Sequence, residues 1–282
     1  MDGILLINKP IGLTSRDVVN QICKKFNTKK VGHTGTLDPF ADGLLVLTIG
    51  KGTKCGQFLE EQTKTYVATL SLGKATDTLD KDGEVIETKE IPFLNEELIN
   101  KILSTFIGDI VQTVPLYSAI KINGKKLYEY AREGIEVELP SRTITISEIK
   151  LLNFHDNIIE FEVTCSKGTY IRVLGDDIAR KLNTVGHLIN LKRTRVGKFC
   201  LENSRNVEDV SENDIVSVYD ALSTSLETLR ADDKLALDIK NGKHLPFKNL
   251  SNRVFVCDLH NNPIAIIEKD HGIIYKVVRG LF

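Results

Sequence analysis

The alternation of apolar and polar positions divides the chain into recognisable elements. A short apolar run, Gly3-Ile4-Leu5-Leu6-Ile7, predicts a strand. Residues 9–12 make a turn, and Thr14 with Asp17 gives the capping-box pattern of a helix carrying Val18, Ile22 and Phe26 on one face. Residues 32–43 hold three glycines and Pro39, too broken for a regular element, and Leu44-Leu45-Val46-Leu47 then reads as a buried strand. Asp38 is therefore expected on a loop entering a sheet. Residues 65–73 alternate, with Tyr66, Ala68, Leu70 and Leu72 on one face of a strand and Val67, Thr69 and Ser71 on the other. Residues 95–107 place Leu98, Ile99, Ile102, Leu103 and Phe106 at helical spacing, a helix packed on the sheet.

Residues 112–138 break this regularity. Turn residues, aromatics and cations alternate there, as in Gly124-Lys125-Lys126-Leu127-Tyr128, and predict a projecting hairpin or loop with a short helix. Strands follow at 143–154 and 158–164, residues 165–172 enter a helix that runs to Leu182, and residues 191–199 return as a strand. Residues 222–231 read as polar and helical. Three short β-rich runs close the chain at 253–259, 263–267 and 273–278. This predicts mixed α and β structure over residues 1–228 and a small β-rich module over residues 229–282, with no internal repeat.

Composition narrows the classes. A chain of 282 residues, 41% of them hydrophobic, can bury a substantial core. The opening apolar run has no basic leader before it and no small-residue cleavage site after it, so a strand is expected rather than a signal peptide. No apolar stretch approaches the roughly 18 residues of a membrane-spanning helix, and a soluble, cytoplasmic protein is the expectation. Cys23, Cys55, Cys165, Cys200 and Cys257 are scattered without the close pairs of zinc or redox motifs, which predicts reduced thiols. The histidines form no close pair either, and no structural metal is expected.

A net charge of −1 does not announce a polyanion partner, because phosphate contacts supply most nucleic-acid affinity. Distribution changes that reading. Cations gather at Lys24-Lys25 with Lys29-Lys30, at Lys121 with Lys125-Lys126, and at Lys192-Arg193 with Arg195 and Lys198. Each patch is either an ordinary solvated face or a place to hold a phosphate backbone.

The individual candidates for chemistry each have a plainer reading beside the functional one. Asp38-Pro39 is either a turn former or a catalytic carboxylate, and His33 is a local hydrogen-bonding group or an acid/base. Asp77, Asp80 and Asp82 precede Gly83 as in a calcium loop, but with Thr78 as position one, position twelve is Lys89 rather than the required glutamate. A solvated turn is expected there. Alternation along residues 166–172 sends Tyr170 and Arg172 to one side and Ile171 into the core. Arg172 then either lies on the surface at a strand end or faces a pocket where it holds a carboxylate ionised.

Their conjunction is more specific. The blocks Lys9-Pro10-Ile11-Gly12-Leu13-Thr14-Ser15, then Gly32-His33-Thr34-Gly35-Thr36-Leu37-Asp38-Pro39 running on to Leu45, Tyr66 with Leu70 to Gly73 and Thr76-Asp77-Thr78-Leu79-Asp80, and Cys165 to Arg172 occur in this order. Together with Tyr117-Ser118-Ala119-Ile120-Lys121 and Ala131-Arg132-Glu133-Gly134, they closely resemble the bacterial TruB-type tRNA pseudouridine synthases from Gly3 to about Phe199. Departures are modest: Val114-Pro115 stands where the family often has two prolines, Asp42 where a small residue is common, and the residues before His187 are irregular.

The resemblance implies an α+β fold, a mixed and largely antiparallel sheet with flanking helices, followed by a small C-terminal β-rich PUA-like domain. It implies a cofactor-free isomerase acting on a flipped-out uridine, position 55, in the T-arm loop of tRNA, with no obligate protein partner. Asp38 would be the catalytic carboxylate, Arg172 its ionic partner, and Tyr66 the aromatic platform and the group near C5. His33 would help in the space the flipped nucleotide vacates, and Leu191 would line the pocket. Lys9 and Pro10 would support the loop from beneath, while Lys121, Lys125, Lys126 and Arg132 in residues 112–138 clamp the RNA. Two rivals remain at this point: a non-catalytic tRNA-folding chaperone, and a metal-dependent phosphotransferase using Asp38 with Asp77, Asp80 or Asp82.

Overall fold

The structure, a computed structural model, describes residues 1–282. The opening apolar run is strand β1 (Gly3–Lys9), and the capping box starts α1 (Ser15–Lys25): the Asp17 amide donates to Thr14 Oγ1, and the Thr14 amide donates to the Asp17 carboxylate. Val18, Val19 and Ile22 of α1 are buried, each side chain contributing roughly 1.5–3 kcal/mol by leaving water. β2 (Val31–His33) and β3 (Asp42–Ile49) follow, with β3 antiparallel to both β1 and β2. After α2 (Gly56–Glu60) comes β4 (Lys64–Leu72), where Tyr66, Ala68, Leu70 and Leu72 are the buried set, as the alternation predicts.

The middle of the chain runs through β5 (Lys74–Thr76), β6 (Val85–Thr88), α3 (Glu96–Ser104) and β7 (Gly108–Thr113). The segment from residue 112 to 138 is the expected hairpin with a short helix: β8 (Lys121–Ile122), β9 (Lys125–Lys126) and α4 (Leu127–Glu133). Its turn is Asn123-Gly124, both residues at positive φ, which is what a two-residue hairpin loop of matching twist requires. Then come β10 (Ser141–His155), β11 (Ile158–Cys165), α5 (Ile171–Lys181), β12 (Gly186–Val196) and β13 (Phe199–Cys200). The last part holds α6 (Val218–Ser223), β14 (Glu227–Ala231), α7 (Asp233–Lys240), β15 (Leu245–Pro246), β16 (Arg253–Asp258), β17 (Pro263–His271) and β18 (Ile274–Gly280). No helix is long and apolar enough to cross a membrane.

Two compact units make up the chain: residues 1–38, 43–62 and 196–282 form one, and residues 39–42 and 63–195 the other. In the first unit, Leu5, Ile7, Leu45 and Leu47 of β1 and β3 pack with Val18, Val19 and Ile22 of α1. The alternate residues Ile4, Leu6, Leu44 and Val46 pack with Phe58 and Leu59 of α2, with Leu222, and with Phe255 and Ile266 of the C-terminal strands. Both faces of β1 and β3 are therefore covered, which is why they read as unbroken apolar runs rather than as alternation. The C-terminal strands form a five-stranded sheet in the order β14-β16-β17-β18-β15. Its other face, with Val254, Val256, Ile267 and Tyr275, is closed by Ala236 and Ile239 of α7.

The second unit is built on strands in the order β12-β4-β11-β10-β7, with β4, β11, β10 and β7 successively antiparallel. The expected α+β class, with a largely antiparallel sheet and a small β-rich C-terminal part, is thus the observed one.

Some local readings are corrected. Residues 222–231 are not one helix: residues 222–223 end α6, Glu227–Ala231 is β14, parallel to β16, and the next helix is α7, which begins after its N-cap Asp232. Pairing with a distant strand overrides local propensity there. Leu98 is 39% exposed, whereas Ile99, Leu103 and Phe106 are buried. β6 has no alternating hydrophobic signature in the sequence, because all four of its residues are exposed and it has no buried face to pattern.

Candidate active site

In the first unit, the loop between β2 and β3 carries Asp38, as expected, and is pinned directly before it. The Leu37 amide donates to Ser15 Oγ at 2.8 Å, and Ser15 Oγ donates to the Leu37 carbonyl at 3.1 Å. Ser15 is the first residue of α1, so the helix start fixes the loop. The Thr34 amide donates to the Val46 carbonyl at 3.0 Å, anchoring the loop's entry beyond His33. Asp38 itself is half-buried, between the buried Leu37 and the exposed Pro39. Lys9 is fully buried, and its Nζ donates to the carbonyls of Pro10 at 2.9 Å and Leu13 at 2.7 Å, holding the turn that precedes α1.

In the second unit, Arg172 is neither on a strand nor at the surface. It lies in the first turn of α5, and both Ile171 and Arg172 are buried, because helical geometry replaces the two-residue alternation after the N-cap Tyr170. Its guanidinium donates from Nη1 to the Thr78 carbonyl at 2.6 Å and from Nη2 to the Tyr117 carbonyl at 2.9 Å, and Nη1 lies 3.5 Å from Asp80 Oδ2.

The 77–84 turn that meets this arginine exposes Lys81, Asp82 and Glu84, as a solvated turn does, but is cross-braced around Asp80. Asp80 is buried, and its Oδ1 accepts from Thr78 Oγ1 at 2.7 Å and from the Asp82 amide at 3.1 Å. Leu79 adopts φ 63°, a left-handed conformation costly for its side chain, held by its amide on the Thr76 carbonyl and by the Leu188 amide on its own carbonyl. Gly83 must be glycine, since a Cβ there would lie 2.3 Å from Thr78 Oγ1 and 2.4 Å from Asp77 Oδ1. The carboxylates of Asp77 and Asp80 thus brace this turn, that of Asp80 also faces Arg172, and Asp82 contributes its amide.

Tyr66 is buried near the start of β4, opposite Val163 of β11, and Leu191 is buried on β12. Asp42, one of the departures noted above, is ion-paired with Lys192 at 3.2 Å. The 112–138 segment carries its cations against aromatic rings: Lys125 Nζ is 4.8 Å from the centre of Tyr130, and Lys126 Nζ and the Arg132 guanidinium lie 5.2 and 5.5 Å from Tyr128. Lys125 is also ion-paired with Glu133, and Lys121 and Arg132 are exposed. Rings that hold cations in this way offer a surface for phosphates and bases together.

Sequence reasoning missed Asp80 as a partner of Arg172 and missed two positioning groups. Gln112, buried on β7, grips the backbone of Tyr170 with its side-chain amide, donating to the carbonyl at 3.1 Å and accepting from the amide at 2.8 Å. Tyr117 donates its hydroxyl to Asp77 Oδ2 at 3.0 Å, a bond that, with burial, pushes the phenol's pKa up. The signal for Asp80 was present in the Thr76-to-Asp80 block; nothing local marked Gln112.

This architecture is that of the pseudouridine synthases. Over 99% of its length the chain superposes on 85% of a chain in the crystal structure of a Cbf5-Nop10-Gar1 complex, with TM-score 0.77 and 25% identity. The fold is shared again with the archaeal box H/ACA sRNP Nop10-Cbf5 complex, at TM-score 0.73, 22% identity, and 99% and 86% of the two chains. Residues 23–171 match the N-terminal domain of the TruB family pseudouridylate synthases. The chain is 40% identical to a tRNA pseudouridine synthase B of Mesoplasma florum, over 99% of this chain and 97% of that one. A tRNA pseudouridine synthase B of Hydrogenovibrio crunogenus is 47% identical over 76% and 70% of the two chains. The chain belongs to the TruB family and is an isomerase.

Proposed function

We propose that this enzyme converts one uridine in the T-arm loop of tRNA, position 55, to pseudouridine, with Asp38 acting on a flipped-out nucleotide. Near-full-length likeness to a tRNA pseudouridine synthase B carries the choice of tRNA as substrate. A loop braced from behind by Ser15 supports the choice of Asp38.

Chemistry on a base requires the nucleotide to leave its stack, at a cost of a few kcal/mol, which an aromatic surface offsets in part. Tyr66 is that surface and lies near C5, with Leu191 lining the pocket. His33 occupies the space the nucleotide vacates. Asp38 starts the reaction as a carboxylate, by attack on the sugar or by assisting deprotonation there, and the C1′–N1 bond breaks. The uracil turns while bound, C5 joins C1′, and the proton on C5 leaves. Substrate and product have the same atoms and oxidation state, so the chain's own residues suffice. Arg172 compensates the charge of Asp38, and Asp80, Thr78 and Tyr117 hold that guanidinium in place.

In this reading residues 1–228 carry the chemistry and residues 229–282 form a small β-rich PUA-like domain. Lys121, Lys125, Lys126 and Arg132 meet the phosphates of the T-arm. Lys9 and Pro10 act through the turn beneath the loop.

The test is Asp38→Asn with tRNA carrying tritium at uridine C5. Tritium release should vanish while tRNA binding stays within about threefold, since one carboxylate contributes little to phosphate recognition. Turnover by that variant would remove Asp38 from the mechanism, and release from a site outside the T-arm loop would remove the substrate assignment.

A further inference from the structure

We propose that Tyr117 is a positioning residue through which the RNA-clamping segment sets the guanidinium of Arg172, with its hydroxyl bond to Asp77 as the latch. This rests on the reading of Arg172 as the charge partner of the catalytic aspartate.

Tyr117 is held at both ends. Its carbonyl accepts from Arg172 Nη2 at 2.9 Å, and its hydroxyl donates to Asp77 Oδ2 at 3.0 Å. The other oxygen of Asp77 accepts from the Glu84 amide at 2.9 Å, so the carboxylate is fixed in the same turn that presents Asp80 to Arg172. Hydrogen bonding to that carboxylate raises the phenol's pKa, so the hydroxyl remains the donor.

On the other side, the neighbours of Tyr117 hold the clamp. The Ser118 carbonyl accepts from the Tyr128 amide at 3.1 Å, and the Ile120 carbonyl accepts from the Leu127 amide at 2.8 Å. Leu127 and Tyr128 begin α4, which carries Arg132 and directly follows Lys125 and Lys126. Residues 114–120 belong to no helix or strand, so no regular ladder fixes Tyr117. Hydrogen bonds from the cationic helix to Ser118 and Ile120, the short stretch of backbone from there to Tyr117, and the bond from the Tyr117 carbonyl to Arg172 therefore connect the clamp to the guanidinium. A pull on the clamp by bound RNA moves the carbonyl that holds Nη2, and the latch to Asp77 limits that movement.

The experiment compares Tyr117→Phe, Asp77→Ala and the double variant with the parent enzyme. Single-turnover tritium release from C5-labelled tRNA reads the chemical step, and filter binding of the same tRNA reads affinity. Tyr117→Phe removes one oxygen and should slow the chemical step about tenfold, the scale of a lost hydrogen bond to a charged group, with affinity within about twofold. Asp77→Ala removes the same bond together with the one from the Glu84 amide, so it should slow the step at least as much, and the double variant should be no slower than Asp77→Ala, because the Tyr117 bond is already gone in it.

A parental rate in Tyr117→Phe overturns the proposal. So does a loss confined to affinity, or single losses that multiply in the double variant. Asp38→Asn run alongside separates the two levels: an inactive Asp38→Asn with a parental Tyr117→Phe refutes only the latch, whereas an active Asp38→Asn refutes the reading beneath it.

Discussion

Replacing Asp80 with Asn tests whether the buried ion pair with Arg172 organises this site. The two side chains are 8% and 5% exposed and their closest atoms are 3.5 Å apart. At an effective dielectric constant of about 20, unit charges at that distance attract by about 5 kcal/mol. Removing one partner of a buried pair leaves the other charge uncompensated and costs about 3–5 kcal/mol. Asn keeps an oxygen for Thr78 Oγ1 and the Asp82 amide, and Arg172 keeps the carbonyls of Thr78 and Tyr117, so the low end applies. A loss of about 3 kcal/mol lowers the melting temperature of a chain this long by about 6–12 °C. Calorimetry reads that shift, and tritium release at saturating tRNA should fall by more than about tenfold as the guanidinium loses its fixed position. A double-mutant cycle with Arg172→Met isolates the pair. A coupling energy below about 0.5 kcal/mol would mean the carboxylate merely braces its own turn, and the argument fails.

Two further predictions concern groups away from the chemistry. Burial and the neighbouring Asp176 raise the Asp177 carboxyl to about 6. Between about pH 4 and 6 the native state therefore holds a proton that the unfolded chain has lost, so Asp177 makes stability fall as pH rises through that window and remain lower above it. Asp177→Asn should melt higher than the parent at pH 7.5 and alongside it at pH 4; equal melting at both values would count against this. Burial lifts the thiols of Cys55 to about 12 and Cys165 to about 11, and Cys257 is also buried. Iodoacetamide on the native protein, read by peptide mass spectrometry, should therefore label Cys23 and Cys200 first, and early modification of Cys55 would contradict the packing.

Much of the architecture is written in local pattern, because local pattern is what a strand or helix responds to. Thr14 and Asp17 mark the start of α1, the apolar runs mark β1 and β3, and the two-residue alternation from Tyr66 to Leu72 marks β4 with its inward face. The ordered motif blocks carry the family as well, since they place Asp38 on its loop, Tyr66 on its strand and Arg172 at its helix entrance.

Contacts between residues far apart in the chain leave no such trace. β14 is a strand only because β16 lies alongside it, and its own residues read as helical. Asp80 reads as a solvated acid in a charged turn, yet it is buried against an arginine more than ninety positions later. Gln112 and Tyr117 carry no local mark of their bonds to Tyr170, Arg172 and Asp77. Periodicity records which face of an element meets a core, whereas the partner of a polar group is decided only when the folded chain brings the two together and excludes the water that would otherwise serve both.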